Sequence, residues 1–516
     1  MIRPLILLTL CCVGAAASEV PLPALENHNG HVQLLVDSKP FLILGGQVNN
    51  STPSDDAQLE RELAALETIQ ANTAFVPVYW ELLEPCEGTF DFALVDRAIA
   101  KAREHHLRLV LLWLGAWKNG AMHCAPEWVK RDKTRFSRVL GARGEEMAIL
   151  SPLADTTRQA DAIAFAAMMK HVRQLDEKKR TVILVQVENE AGLLGADRDY
   201  SAKATDYFEG PVPPELMACI STQGGDATAG TWPSVFGDKA AETCTAWSVA
   251  RYVDAVAAAG CAEYPLPLYA NAWLARSGER AGAWPSGGPN EHMLAVWKCA
   301  APHLDFLAPD IYCPDFEAIA AAYSREDNPL FIPEVNFEPY YAAFAFAAFA
   351  GHDALCYSAF GMGELCNGGA QDAPPPLVRV YGVVHPLLPL LAERRYTGTL
   401  FPLLQEAGEN LDTTETVQLG DALAANVTYT MPFDMENGRG AGMIVKLSRD
   451  EYIVAGMGFD IAFRELEGPP RDAEFLSLEE GTFLDGQWTP QRRLNGDELQ
   501  VSLPDTGRIL RVRLLR

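Results

Sequence analysis

Thr181-Val-Ile-Leu-Val-Gln-Val-Glu-Asn-Glu-Ala-Gly192 is an apolar run that stops abruptly in three polar side chains. Val182 to Val187 has the length and β-branched content of a buried strand, which puts Glu188, Asn189 and Glu190 at its C-terminal end. A carboxylate at the rim of a core is partly desolvated, and desolvation raises a glutamate toward the range of a general acid. Pro329-Leu-Phe-Ile-Pro-Glu-Val-Asn-Phe337 repeats the form, with Glu334 at its end. Two glutamates, each closing its own buried strand, suggest a carboxylate pair on one face of a sheet. Taken one strand at a time, an ion-paired or N-capping residue is the readier reading of either, so the rest of the chain has to decide.

Outward from these two stretches, strand-like runs alternate with helix-like ones. Phe41–Gln47 precedes a helix over about Ser54 to Ala71, with Ser54 as its expected cap, and Thr73–Trp80 precedes one over Asp91 to His105. Leu107–Trp117 is followed by a long excursion and a helix over Ala160 to Leu175; the Glu190 strand is followed by a second insertion, Leu193 to Glu242. Leu266–Trp273, Leu304–Tyr312, the Glu334 run and Ala354–Phe360 complete the series, which a helix over Pro376 to Glu393 closes. Eight β–α units predict a (β/α)8 TIM barrel with enlarged loops, whose active site lies at the C-terminal ends of the strands. Gln47, Tyr79, Trp80, Trp117, Asn119, Asn271, Trp273, Asp310, Tyr312 and Phe360 gather there with the two glutamates. Trp113, mid-strand, reads as core. Trp117, Trp273 and Tyr312 read either as core filling or as platforms for the apolar faces of a sugar ring.

Beyond about Arg394 the pattern turns to short alternating runs such as Glu451-Tyr-Ile-Val-Ala455 and Ile509-Leu-Arg-Val-Arg-Leu514, which predict an all-β sandwich domain. The division is thus residues 1–18 as a signal peptide, 19–393 as the barrel and 394–516 as the β-sandwich. The signal is read from Arg3, the apolar run Pro4 to Val13 and the small residues Ala15 to Ala17, and implies an exported protein, periplasmic or extracellular, with no membrane anchor. Forty-two basic against 68 acidic residues give a net charge of −26, which argues against a nucleic-acid or anionic-membrane partner and fits an uncharged substrate. Of eleven cysteines, Cys11 and Cys12 leave with the signal; the remainder is odd and scattered, so it is no disulfide framework, although one or two bridges are compatible with export. With neither a CxxC pair nor HExxH, nothing calls for a metal, and no cofactor is expected.

Val185-Gln-Val-Glu-Asn-Glu190 followed by Gly192 resembles the acid/base signature of glycoside hydrolase family 35, the retaining β-galactosidases. Phe75-Val-Pro-Val-Tyr-Trp-Glu-Leu-Leu-Glu-Pro-Cys-Glu-Gly-Thr-Phe-Asp-Phe92 resembles a second-strand signature shared by families 35 and 42. Trp113-Leu-Gly-Ala-Trp-Lys-Asn-Gly120, Asn271-Ala-Trp273, Pro309-Asp-Ile-Tyr312 and Tyr357-Ser-Ala-Phe-Gly361 look like a bacterial branch carrying a C-terminal β-domain. The resemblance implies Glu190 as acid/base, Glu334 as nucleophile and Asn189 as a contact to the sugar 2-hydroxyl. It implies as substrate a terminal, non-reducing β-galactose on oligo- or polysaccharides, such as xyloglucan side chains. Ala191 departs from the Tyr often found after the acid/base, and Asn119 stands where many members have a small residue and Glu; both touch the sugar and aglycone preference. Glu188, two residues from Glu190, lies deeper and reads as a structural hydrogen-bonder. Double displacement with retention then requires the two carboxyls about 5–5.5 Å apart. The alternatives are another sugar on the same clan (β-glucosidase, β-mannosidase, arabinosidase) and a non-catalytic carbohydrate-binding protein; a homo-oligomer is compatible with either.

Overall fold

The computed structural model describes residues 21–516 except 29, 223–228, 364–375, 407–412, 434–437, 468–470 and 485. The expected signal segment lies outside the described residues. A small antiparallel sheet, Ala24–His28, His31–Val36 and Lys39–Pro40, precedes the barrel. The eight barrel strands are Ile43–Gln47, Thr73–Tyr79, Arg108–Lys118, Val182–Asn189, Leu268–Trp273, Phe306–Ile311, Phe331–Val335 and Cys356–Phe360. They pair in chain order and close between the eighth and the first, so the (β/α)8 barrel and the all-β C-terminal part expected from the sequence are both present. Because every strand is covered on both faces, the runs are almost continuously apolar, and polar residues fall at strand ends, where the pocket is.

Two irregularities matter for the site. Pairing between the seventh and eighth strands slips between Ile332 and Val335, where Pro333 has no N–H to give to the ladder. Between the third and fourth, Trp113 pairs with Val187 but Lys118 pairs with Asn189, so five steps along one strand match two along the other. The third strand therefore bulges just before the pocket.

Several helices differ from the sequence expectation for local reasons. The first runs Asp56–Thr68 and is capped by Asp55, whose carboxylate accepts from the Gln58 N–H, and not by Ser54, which ends a preceding 3-10 turn. The final helix breaks into Pro376–Val384 and Leu388–Arg394 around a turn at His385–Leu387, because Pro386 and Pro389 interrupt its hydrogen bonding. A helix over Phe344–Gly351, in the sequence Phe-Ala-Phe-Ala-Ala-Phe-Ala-Gly, has no polar face at all. It carries no helical periodicity because it is covered on every side: the barrel lies beneath it and the β-domain strands Leu400–Leu404 and Ala441–Lys446 pack over it.

The C-terminal part is a sandwich of a six-stranded and a five-stranded sheet. Along Ala441–Lys446, Ile444 faces the sandwich interior with Val427, Phe463 and Val512, whereas Met443 and Val445 join the barrel's core cluster, as the period of two requires. Arg439 is buried at this junction, its guanidinium over the rings of Tyr340 and Phe344 at 4.4 and 4.5 Å. Cys219, in the insertion after the fourth strand, and Cys299 form a disulfide that ties the helix Pro214–Thr222 to Leu294–Ala300. No helix among the described residues is long and apolar enough to cross a membrane.

Candidate active site

The pocket at the C-terminal end of the barrel has a volume of about 350 Å³ and is lined by Lys118, Asn119, Glu190, Trp273, Arg276, Asp310, Tyr312, Glu334 and Phe360, among others. That volume fits a sugar ring with room at the mouth. A larger cavity of about 1010 Å³ opens between Arg143, Tyr200, Lys239, Arg280 and His292, but it holds neither glutamate of the strand-end pair.

Glu334 is held by three donors from three strand ends. Gln47 Nε2 gives to Oε1 at 3.0 Å, Asn189 Nδ2 reaches the same oxygen at 3.4 Å, and the Tyr312 hydroxyl gives to Oε2 at 2.9 Å. Tyr312 is 41% exposed as a residue, open to the pocket mouth, while its hydroxyl end is buried against Glu334. Lys118 Nζ gives to Asn189 Oδ1 at 2.7 Å. An ammonium is donor only, so this bond fixes which way round the Asn189 amide stands and leaves its NH2 for Glu334.

Glu190 is held by its backbone. Its N–H gives to Asn271 Oδ1 at 2.9 Å, its carbonyl accepts from the Gly120 N–H at 3.0 Å, and its φ of 47° lies in the left-handed region. Asn271 also gives to Asp310 Oδ2 at 2.7 Å, so it braces the site without lining the pocket. Gly192, with φ of 148°, turns the chain sharply past Pro285 and Ser286, where a Cβ would come within 2.7 Å of both carbonyl oxygens. Burial first, and then the charge of Glu334, push the Glu190 carboxyl up to about 7, against the pull of Lys118 and a hydrogen bond with Asp310. One oxygen from each of Glu190, Asp310 and Glu334 lies within 4.8 Å of the others. Three acids at that spacing match a cation site in donor set, but the Lys118 ammonium in the same pocket opposes a divalent ion and suits groups that exchange protons.

Three residues expected at the pocket lie elsewhere, of which Trp80 is fully buried with its indole N–H given to Glu84. Trp117 is fully buried, its ring edge-on to Tyr252 at 4.6 Å, and Lys118 takes the pocket position instead. The cause is the bulge in the third strand, which changes which side chains face inward between Trp113 and Lys118. Tyr79 is buried with its hydroxyl unpartnered, near Cys124, Glu62 and Glu81, away from the pocket lining. Gln47, Asn189, Asn271 and Tyr312 surround the carboxyls, and Asn119 and Trp273 line the pocket. Lys118 and Arg276 were not singled out from the sequence, and Asp310 was noted only as a polar strand end. Glu188 lies outside the pocket: it accepts from the Trp117 N–H at 2.8 Å and contacts Asp161, and burial and the Asp161 charge push it well up. Gly115 permits this contact, since a Cβ there would sit 2.6 Å from Glu188 and 2.7 Å from Asp161.

A family model described as β-galactosidase, that of glycoside hydrolase family 42, matches residues 50–218, and a model described as a domain of unknown function, DUF5597, matches residues 377–503. The first takes in the stretch Phe75–Phe92 that resembles families 35 and 42 alike; it names family 42 where the strand motifs suggested family 35. A β-galactosidase of Xanthomonas manihotis is 28% identical over 215 residues, 39% of this chain and 32% of that protein, so the chain spans about a third of that relative's length. Among solved structures, a β-galactosidase from Bacillus circulans sp. alkalophilus aligns with a TM-score of 0.47 at 11% identity, over 91% of this chain and 99% of that one. A β-galactosidase from Marinomonas ef1 aligns with a TM-score of 0.45 at 14% identity, over 68% and 60%. The chain is therefore β-galactosidase-like over residues 50–218 of a TIM barrel, with Glu334 entering the same pocket from outside the matched segment.

Proposed function

We propose that this protein is an exo-acting, retaining β-galactosidase. The observation that carries the reading is the unequal pair: Glu334 wrapped by three hydrogen-bond donors, and Glu190, pushed up to about 7, with an oxygen within 4.8 Å of it. That spacing favours retention, because an inverting pair stands about 6.5–9.5 Å apart to admit a water. Glu334 attacks the anomeric carbon and forms a glycosyl ester as the bond to the aglycone oxygen breaks. Glu190 gives its proton to that oxygen. Esterification removes the charge that holds the Glu190 proton, so Glu190 becomes a base and takes a proton from the water that cleaves the ester. The family resemblance gives Asn189 the contact to the 2-hydroxyl, and Trp273 and Phe360, which line the pocket, cover apolar ring faces.

A small pocket behind two large insertions supports removal of terminal sugars over cutting within a chain, and the likeness to β-galactosidases supports galactose. Residues 1–18 and the Cys219–Cys299 disulfide favour an exported enzyme acting on oligo- or polysaccharides. The test is a rate panel on para-nitrophenyl β-galactoside, β-glucoside, β-mannoside, β-xyloside and α-arabinoside, for the mature protein and for Glu334→Ala. Turnover of the β-galactoside, abolished in the variant, is expected. Turnover of a different sugar alone overturns the specificity, and hydrolysis by the variant overturns the role of Glu334.

A further inference from the structure

Double displacement uses two carboxyl groups, and this pocket holds three. Asp310, at the end of the sixth strand, is 2% exposed. Of the side-chain donors nearby, Gln47, Asn189 and Tyr312 give to Glu334 and Lys118 gives to Asn189; none of these gives to Asp310. Asp310 receives one hydrogen bond, from Asn271 on Oδ2. Its Oδ1 has no partner among the described residues, and neither does Oε2 of Glu190, while an oxygen of each carboxyl lies within 4.8 Å of the other group. The other titratable groups facing Asp310 are phenols: the hydroxyls of Tyr312 and Tyr323 go to Glu334 and to the Pro289 carbonyl, and that of Tyr269 is unpartnered. Two buried carboxylates in contact repel, and each would leave an unsatisfied anionic oxygen. One proton between them removes both penalties.

We propose that Asp310 is a positioning residue, kept as a neutral carboxylic acid that donates its O–H to Glu190 and aims the acid/base carboxyl at the leaving oxygen. This rests on the reading of Glu190 given above. The Asp310 proton stays on Asp310 throughout; the proton that reaches the aglycone is the one on Glu190. When Glu190 is an anion, the Asp310 O–H steadies it as a base, and no third negative charge enters a pocket that already holds Glu334. The burial of Asp310 and the charges of Glu334 and Glu190 push its carboxyl far up, in the direction this role requires. A buried acid held neutral so that it can donate has precedent in general enzyme chemistry.

Asp310→Asn keeps the shape, an acceptor for Asn271 and an N–H toward Glu190, and changes no charge if Asp310 is neutral. The basic limb of kcat/KM on an aryl β-galactoside is then expected to stay within about 0.3 pH unit of the parent. If Asp310 is an anion, the same change removes a negative charge beside Glu190 and moves the limb to lower pH by about one unit or more, which overturns the proposal. A second measurement needs neither the variant nor turnover: infrared spectra of the full-length protein carrying carboxyl-13C-labelled aspartate, at about pH 8. An aspartic acid C=O band that shifts when D-galactose is added supports the proposal, and its absence overturns it. Failure of the acid/base reading shows separately, as undiminished turnover of a poor-leaving-group galactoside by Glu190→Ala.

Discussion

Glu334→Gln tests whether the charge on one glutamate holds the proton on the other. Oxygens of the two side chains lie within 4.8 Å. At an effective dielectric constant near 20, two unit charges at that distance interact by roughly 3 kcal/mol, about two pH units of proton affinity. Glu190 stands at about 7 against an ordinary 4.5, and burial is the largest cause, so the charge of Glu334 cannot account for the whole rise. Its share is therefore about one pH unit, partly masked by Lys118. In Glu334→Gln the burial, Lys118 and Asp310 remain, and only the charge is lost. We expect Glu190 to titrate about one pH unit lower than in the parent, followed by 13C NMR of carboxyl-labelled glutamate with Glu190→Gln as the assignment control. An unchanged or higher midpoint would refute the reasoning, because the exchange of roles by Glu190 would then have no electrostatic cause.

Three further outcomes follow from the same geometry. The Glu190 carboxyl is raised by folding, so its proton contributes stability that is complete below 4.5 and is lost as pH rises through about 7; at pH 8 Glu190→Gln should be more stable than the parent by up to roughly 3 kcal/mol, with a flatter dependence of Tm on pH, and a parent that gains stability over this window would contradict the assignment. Gly192→Ala should lower unfolding free energy in urea by about 2 kcal/mol or more and reduce kcat, since its φ is left-handed and its Cβ would meet two carbonyl oxygens. Trp273→Ala should raise KM for an aryl galactoside by about tenfold with little change in Tm, whereas Trp117→Phe should lower Tm and leave KM unchanged; the reverse pattern would place Trp117 in the pocket after all.

The carboxylate pair was legible in the sequence because each glutamate closes an apolar run, and a parallel barrel puts all such ends on one face. Trp117 was misplaced because alternation cannot be carried across the bulge between Trp113 and Lys118, which depends on pairing with the fourth strand. For the same reason Lys118, one residue on, was not singled out. Asp310 was visible as a polar strand end, but its significance lies in distances to Glu190 and Glu334, residues 120 and 24 positions away in the chain. The helix Phe344–Gly351 escaped notice because the β-domain that covers its outer face removes the polar stripe by which a surface helix is recognised. The helix cap at Asp55 shows the usual margin of a residue or two at element ends, whereas the break at Pro386 splits the expected helix in its middle, where the prolines remove hydrogen bonds.

The most direct test of the account is to trap the glycosyl ester. The protein is treated with 2-deoxy-2-fluoro-β-galactosyl fluoride, whose fluorine slows breakdown of the intermediate, and is then digested and mapped by mass spectrometry. One added fluorogalactosyl group is expected, on the peptide containing Glu334. Hydrolysis of an aryl β-galactoside with inversion at the anomeric carbon, or a label on a different residue, would contradict it.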